Sequence, residues 1–344
     1  MSKQAESASP PRPGPPSGSP ADEETRLHLE RGSLTVLGQI REASNAVLFG
    51  RVEHEGRGMP CVYKPVAGER PLWDFPDGTL AQREVAAYEI SRALGWDLIP
   101  ATVLREGPYG PGMCQAWVGP LPGAEDDDGV EAGGEGHAGA QGGGSAGEAG
   151  GTGPGESAYE AAQDGDGRVE GADEAAGPPP GEALGDLLAV VEGDEPGAGW
   201  KTVGHVDTGG VRPALLVHAD DTRLRRLAVV DAVINNADRK GGHLLPAPGG
   251  RLYAIDHGVT FHVDGKLRTL LWGWAGEELT AEACAALREL AARLAEGTPL
   301  AVRLSELITP EEIDALRKRV DALRTSGRHP MPGGDWPAIP WPPL

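Results

Sequence analysis

Two aspartates that each follow an apolar stretch are the residues of this chain best suited to chemistry. Asp238 ends the polar run 235–238, and Asp256 directly follows the apolar run Leu252–Ile255, eighteen positions later. A carboxylate held in a loop can accept or orient the proton of an attacking hydroxyl, and carboxylate oxygens are preferred ligands of Mg²⁺. The sequence therefore predicts a base at Asp238 and a metal ligand at Asp256.

The spacing around these aspartates favours phosphoryl transfer as the chemistry. The segment reads N-x-D-R, then an apolar strand, then D-x-G. This order places a base and a metal-binding carboxylate in neighbouring loops, as phosphoryl transfer to a hydroxyl requires. Arg239 and Lys240 are expected either near the transferred phosphate or at the surface.

Histidines beside the two aspartates leave a metal-dependent hydrolase site as an alternative. His243, His257 and His262 are all within seven positions of Asp238 or Asp256. However, no two histidines have the i,i+4 spacing of one helix face, and no H-E-x-x-H motif occurs. The hydrolase is therefore the third interpretation.

A phosphotransferase also needs a cation for the phosphates, and Lys64 at the end of the short strand 60–65 is the candidate. Glu84, on the helix predicted over 79–94, could hold the lysine amine in place. Each residue could equally be solvated on its own element, but the order of strand, lysine, helix and glutamate favours the functional interpretation.

Ser44 and Asn45 are predicted to lie in a turn between two strands of the region 33–53. Backbone N–H groups of such a turn can cradle phosphates, and a serine hydroxyl adds a donor. Because no G-x-G-x-x-G motif is present, a plain β-turn is an equally good interpretation.

Periodicity predicts the elements that must position these residues. The first part contains five strands and one helix in the order β-β-β-α-β-β, ending with strands 101–105 and 113–118. The later part contains a short hairpin before Asp256 and four helices; the helices are 183–191, 221–234, 281–296 and one that starts at Thr309.

Two segments have a composition that disfavours folding. Residues 1–25 are rich in proline and serine, and residues 121–182 contain nineteen glycines and fifteen acidic residues against one arginine. Such segments bury too little apolar surface to offset the entropy of ordering, so both are expected to be disordered. The predicted folded parts are residues 26–120 and 183–344.

The overall charge of −21 comes mostly from the acidic insert, and it argues against a nucleic-acid-binding surface. No apolar run is long enough to cross a membrane, and no integral membrane segment is expected. Three widely spaced cysteines suit a reducing compartment, so a cytoplasmic location is expected.

The motifs together resemble the phosphatidylinositol 3-/4-kinase-like group, most closely the type II phosphatidylinositol 4-kinases and their bacterial relatives, including the HipA type and an actinobacterial family. The likeness spans about 33–120 and 183–300. It rests on V-Y-K-P at Lys64, E-x-x-A-Y at Glu84, Q-A-W-V at 115–118, N-A-D-R at 236–239 and I-D-H-G at 255–258.

The resemblance implies an α+β, bilobal protein-kinase-like fold, with an N-lobe over 26–120, a C-lobe with a helical C-terminus over 183–344, and the disordered acidic glycine-rich insert between them. The implied activity transfers the γ-phosphoryl group of ATP, bound with Mg²⁺, to a hydroxyl of a lipid, protein or small-molecule acceptor. The implied ATP contacts come from Ser44, Asn45, Lys64, Gln115, Trp117 and Val118.

One departure from the family pattern concerns the second metal ligand. His243 stands where such kinases carry an asparagine, so the resemblance implies that Asp256 and His243 hold the metal. Histidine is a poorer Mg²⁺ ligand than an amide oxygen, and a preference for Mn²⁺ or weak activity follows. A nucleotide-binding pseudokinase without catalysis is therefore the main alternative.

Overall fold

A computed structural model describes residues 19–40, 46–76, 79–122, 186–207, 212–333 and 337–343. Within these ranges the chain is an α+β protein with six α-helices and three antiparallel sheets. The predicted insert and the first eighteen residues fall almost entirely outside the described residues, as do Ser44 and Asn45.

The first sheet carries Lys64 and has the strand order β1-β2-β3-β5-β4. Its strands are β1 (Ser33–Ile40), β2 (Val47–His54), β3 (Arg57–Pro65), β4 (Thr102–Gly107) and β5 (Gly110–Ala116). Side chains alternate along β3, so Cys61 and Tyr63 are fully buried on one face, while Val62 and Lys64 are partly exposed on the other. The five predicted strands of this region are confirmed.

Helix α2 (Leu80–Leu94) carries Glu84 and confirms the helix predicted over 79–94. Thirteen of its fifteen residues are buried, so it is a core helix rather than a surface helix with one apolar stripe. It ends at Gly95, whose φ of 75° is the left-handed conformation that glycine adopts without a Cβ clash.

A second sheet corrects one prediction. The segment 183–191 was expected to be a helix, but Leu188–Glu192 forms strand β6, which pairs with β8 (Ala214–Ala219), and β8 pairs with β7 (Trp200–Val206). A short apolar run is ambiguous between helix and strand, and pairing with the distant β8 decides it. Strands β7 and β8 were not predicted.

The elements that lead into the two aspartates agree with their predictions. Helix α3 (Thr222–Ile234) ends at Asn235, whose φ of 55° turns the chain toward Asp238. Strands β9 (Leu244–Ala247) and β10 (Arg251–Ala254) form the expected hairpin just before Asp256.

Three helices close the chain. Helix α4 (Ala281–Arg293) begins at its N-cap Thr280, and helix α6 (Pro310–Ser326) has the predicted capping box of Thr309 and Glu312. Helix α5 (Pro299–Ser305) was not predicted, although Thr298 and Pro299 supply an N-cap and an N1 proline. The helical C-terminus is thus confirmed, with one more helix than expected.

Helix α1 (Pro20–Arg31) is a second correction, because it begins inside the range 1–25 that was expected to be disordered. Ser19 caps the helix. Tyr88 of α2 donates a hydrogen bond to Asp22 at 2.8 Å, and Arg92 of α2 donates to Glu23 at 2.8 Å. These contacts with α2 supply order that the local composition does not reveal. Among the described residues, no helix is both long and apolar enough to span a bilayer.

Candidate active site

The structure brings three of the predicted site residues together: the amine of Lys64 contacts the carboxylates of Glu84 and Asp256. Lys64 Nζ lies 2.7 Å from Glu84 Oε1 and 3.0 Å from Asp256 Oδ1. The Glu84 side chain is almost completely buried, whereas half of the Asp256 side chain is exposed. The lysine therefore joins a fixed carboxylate in the protein interior to one that remains open to a ligand.

Glu84 also fixes the loop that carries Asp256. Its second oxygen, Oε2, accepts a hydrogen bond from the backbone N–H of His257 at 2.9 Å. Asp256 itself has a φ of 61°, a left-handed conformation that costs free energy in a residue other than glycine. Backbone strain of this kind at a lysine-paired carboxylate is typical of a functional site.

The charges of this cluster are stable near neutral pH. The Lys64 ammonium holds the pKa of the Asp256 carboxyl well below its usual range, and this attraction outweighs the opposing effect of burial. Burial alone would lower the pKa of Lys64, but Asp256 and Glu84 reverse the effect and raise that pKa above its ordinary value. Both groups are therefore charged near neutral pH.

Asp238 lines the same cavity, whose volume is about 240 Å³. Its backbone N–H donates to Asn236 Oδ1 at 3.0 Å, which holds the loop, and its Oδ2 lies 3.1 Å from Lys240 Nζ. Arg70, on the loop after β3, adds a second cationic side chain to the cavity lining. A phosphorylated ligand would thus meet both cations and carboxylates here.

His243 contacts Asp256, but in an orientation that differs from that of a metal ligand. The backbone N–H of Lys240 donates to His243 Nδ1 at 3.4 Å, which leaves the ring proton on Nε2. Nε2 lies 3.4 Å from Asp256 Oδ2, and burial lowers the pKa of the imidazole, so the ring is neutral. In this tautomer the protonated nitrogen of His243 is the one that faces Asp256.

The residues present nevertheless suit Mg²⁺ bound together with a phosphate ligand. Mg²⁺ usually keeps several waters and takes one or two protein carboxylates plus phosphate oxygens. Asp256 is half exposed toward the cavity and Asp238 lines it too. Within the described part of the chain, no group of three or more His, Cys, Asp or Glu side chains forms a ready-made metal centre.

Asp231 and Arg239 form a supporting pair that the sequence interpretation missed. Both side chains are fully buried, and Arg239 Nη2 lies 3.0 Å from Asp231 Oδ1. Arg239 was expected near phosphate or at the surface, and the structure shows neither. An acidic residue among the apolar residues of α3 was the available signal, because a buried carboxylate requires a cationic partner.

The residues predicted to meet adenine are not at this cavity. Gln115 lies inside the first sheet between β3 and β4, and its side-chain Nε2 donates to Thr102 Oγ1 at 2.8 Å. Trp117 and Val118 line a different cavity, of about 620 Å³, which also contains Tyr253. Ser44 and Asn45 cannot be compared with the cavity because the structure does not describe them.

Comparison with known proteins places the chain among its relatives. No protein-family model matches the sequence. The chain is 42% identical over 314 residues to Protein Rv2133c of Mycobacterium tuberculosis, and the match covers 91% of this chain and 93% of that protein. The chain therefore belongs to the same family as Protein Rv2133c of Mycobacterium tuberculosis.

Proposed function

We propose that this protein is an ATP-dependent phosphotransferase of the phosphatidylinositol 3-/4-kinase-like group, with a bilobal kinase-like fold. The observation that carries the proposal is the position of Lys64 Nζ between Glu84 and Asp256, in the cavity that Asp238 also lines. A strand lysine paired with a helix glutamate, next to a metal-binding aspartate, is the arrangement that neutralises nucleotide phosphates in kinases.

Each residue has a role in this proposal. Lys64 neutralises phosphate charge, and Glu84 holds its amine in place. Asp238 accepts or orients the proton of the acceptor hydroxyl while that hydroxyl attacks the γ-phosphorus; the bond from this phosphorus to the β-phosphate oxygen breaks, and ADP leaves. Bound Mg²⁺ or Mn²⁺ would be held by Asp256 and would supply charge neutralisation on the phosphate oxygens. The acceptor is a lipid, a protein or a small molecule with a free hydroxyl.

The architecture around the lysine supports the proposal. The five-stranded antiparallel sheet and helix α2 supply Lys64 and Glu84, and the α3–β9–β10 region supplies Asp238 and Asp256. In this proposal the N-lobe supplies the lysine and its glutamate, and the C-lobe supplies the two aspartates. The backbone of Trp117 and Val118 remains the proposed adenine contact, whereas the buried position of Gln115 argues against it in this role.

A nucleotide-binding pseudokinase is the second candidate, and two contacts favour it. Asp238 Oδ2 lies 3.1 Å from Lys240 Nζ, and His243 Nε2 lies 3.4 Å from Asp256 Oδ2. Both contacts must give way before a base and a metal ligand become available. A protein in which they persist binds nucleotide without transferring phosphate.

Nucleotide binding is the first experiment. A ligand at a hundredfold excess over its Kd adds about 2.7 kcal/mol of stability, so Mg-ATP or Mn-ATP should raise the Tm by about 5–10 °C. The shift should disappear in Lys64→Ala and Asp256→Asn. Lys201→Ala is the matched control, because Lys201 also pairs with a glutamate, Glu277, outside the cavity. A wild-type protein whose Tm responds to neither complex overturns the proposal.

Transfer of ³²P to the protein itself or to a panel of hydroxyl acceptors then separates the candidates. An enzyme loses the signal in Asp238→Asn, whereas a pseudokinase gives no signal in either form. A metal-dependent hydrolase predicts phosphatase activity that persists in Lys64→Ala.

A further inference from the structure

Arg83, the residue immediately before Glu84, is one of the largest fully buried side chains of the protein. Its guanidinium lies among groups from distant parts of the chain. Nη2 donates to Glu312 Oε1 at 2.5 Å and Nη1 donates to the backbone oxygen of Thr260 at 2.6 Å. The guanidinium also lies over the ring of Phe75, 4.9 Å from its centroid. Arg83 thus ties α2 to two other segments.

The anchor at Glu312 is itself fixed. While Oε1 accepts from Arg83, Oε2 accepts from the backbone N–H of Thr309 at 2.9 Å, which closes the capping box of α6. The Glu312 side chain is 7% exposed. The carboxylate that holds Arg83 therefore belongs to the rigid start of a seventeen-residue helix.

The second anchor belongs to the loop that follows Asp256. Thr260, whose backbone oxygen accepts from Arg83, donates through Oγ1 to the backbone oxygen of His257 at 2.7 Å. His257 in turn donates its N–H to Glu84. Arg83 and Glu84 are consecutive residues, so one turn of α2 holds the Asp256 loop at two points.

These contacts oppose any outward movement of α2. Such a movement would separate Lys64 from Glu84, and it would also leave Arg83 or Glu312 as an unpaired charge in the protein interior, which is strongly unfavourable. The burial of α2 on nearly all sides opposes the movement further. The ion pair at Lys64 is consequently assembled without a ligand.

We propose that Arg83 and Glu312 are positioning residues that keep the Lys64–Glu84 pair assembled in the ligand-free protein, so that the site needs no rearrangement of α2 before it binds nucleotide. The nucleotide part of this inference rests on the proposed function. The part that concerns the ion pair does not, and it can be measured without nucleotide.

The ligand-free test is the rate at which an N-hydroxysuccinimide ester acetylates Lys64, followed by mass spectrometry of the wild type and of Arg83→Met. The reagent must reach the amine, and the Lys64 side chain, held between Glu84 and Asp256, is only 20% exposed. Release of Lys64 from Glu84 should accelerate its acetylation by about tenfold in Arg83→Met.

Arg92→Met is the matched control. Arg92 is also a buried arginine of α2, but its partners are Glu23 at 2.8 Å and Asp22 at 3.1 Å on α1, and Glu89 at 3.6 Å on α2 itself. This variant also leaves carboxylates without their buried arginine, yet it leaves the Arg83 contacts intact. Its Lys64 should react within about twofold of the wild-type rate if the effect is one of positioning.

The second arm measures the Kd of Mg-ATP or Mn-ATP, which should weaken about tenfold or more in Arg83→Met and change little in Arg92→Met. A wild type that binds no nucleotide defeats the proposed function, while the acetylation rates still decide the positioning role. The positioning role is overturned if the acetylation of Lys64 accelerates equally in both variants, or if it does not accelerate in a folded Arg83→Met.

Arg83→Lys serves if Arg83→Met does not fold. Lysine keeps the charge but replaces the planar guanidinium, whose Nη1 and Nη2 donate separately to Thr260 and Glu312, with a single ammonium. If Lys64 of Arg83→Lys is acetylated faster than in the wild type, by up to about tenfold, the proposal is supported. If it is acetylated at the wild-type rate, the proposal is contradicted.

Discussion

Arg239 and Asp231 form a fully buried ion pair directly beneath the two aspartate loops. Arg239 Nε lies 3.0 Å from Asp231 Oδ2 and Nη2 lies 3.0 Å from Oδ1, so the contact is bidentate. Arg239 Nη1 also donates to the backbone oxygen of Ile255 at 3.0 Å, and Nη2 lies 2.6 Å from His257 Nε2. The residue after Asp238 thus holds both neighbours of Asp256.

This pair should dominate the stability of the site. Asp231→Ala leaves the Arg239 charge unpaired in the interior, and loss of one partner of a buried pair costs about 3–5 kcal/mol. Urea denaturation should show this loss as a lower free energy of unfolding. Asp321→Ala is the control, because Asp321 pairs with Arg324 on the surface of α6, where a pair contributes about 1 kcal/mol or less. Equal losses would show that the buried pair has no special weight.

The sequence was most informative where local signals are strong. Helices α2 and α6 were predicted because Gly95 and the Thr309 capping box mark their ends, and hairpin β9–β10 because apolar runs flank a proline- and glycine-rich turn. By contrast, the sequence predicts a helix over 183–191 where the structure has β6, since nothing within Leu188–Glu192 reveals its pairing with β8.

The same limit applies to the site. Order along the chain was enough to suggest that Lys64, Glu84 and Asp256 belong together, and the structure brings them within hydrogen-bond distance. The roles of Arg83 and Asp231 could not be predicted, because their partners Glu312 and Arg239 are identified only by three-dimensional packing. Charged residues within apolar helices were the remaining signal.

Substitution of each aspartate separately should divide binding from catalysis. Asp238→Asn should leave the Kd of Mg-ATP within about twofold and lower phosphoryl transfer by about 10²–10⁴, the usual contribution of a general base. Asp256→Asn should weaken binding itself, because the carboxylate that would hold the metal is lost.

Asp264→Asn is the control for both variants, since Asp264 is an exposed aspartate of the same region. Direct titration of nucleotide followed by a transfer assay on the same preparations gives both numbers. If phosphoryl transfer falls only as far as nucleotide affinity falls in each of the three variants, Asp238 does not act as the base.

His243→Asn tests the departure from the kinase pattern. An amide oxygen is a better Mg²⁺ ligand than imidazole, and the variant also removes the ring whose Nε2 lies 3.4 Å from Asp256 Oδ2. The ratio of activity or affinity with Mn²⁺ to that with Mg²⁺ should therefore fall in the variant. His205→Asn, at an exposed position of β7, should leave the ratio unchanged. An unchanged ratio in His243→Asn would place this residue outside the metal site.

The free energy of unfolding should depend on pH partly through His329. Burial lowers the pKa of this imidazole to about 4, while an unfolded histidine titrates near about 6.5. Between these values the unfolded chain binds a proton that the folded protein does not. Stability consequently falls as the pH decreases from about 6.5 to about 4, by about 1–3 kcal/mol, and the contribution of His329 stays constant below that range.

His329→Phe should remove this contribution. The ring of His329 stacks on Trp274 at a centroid distance of 6.2 Å, and its Nε2 has no hydrogen-bond partner among the described residues, so phenylalanine preserves the packing without leaving a donor unpaired. Urea denaturation of wild type and variant at pH 7, 6, 5 and 4 should give curves that diverge toward acid, with the variant losing less stability. His205→Phe should follow the wild type. Parallel curves for wild type and His329→Phe would mean that His329 titrates normally in the folded protein.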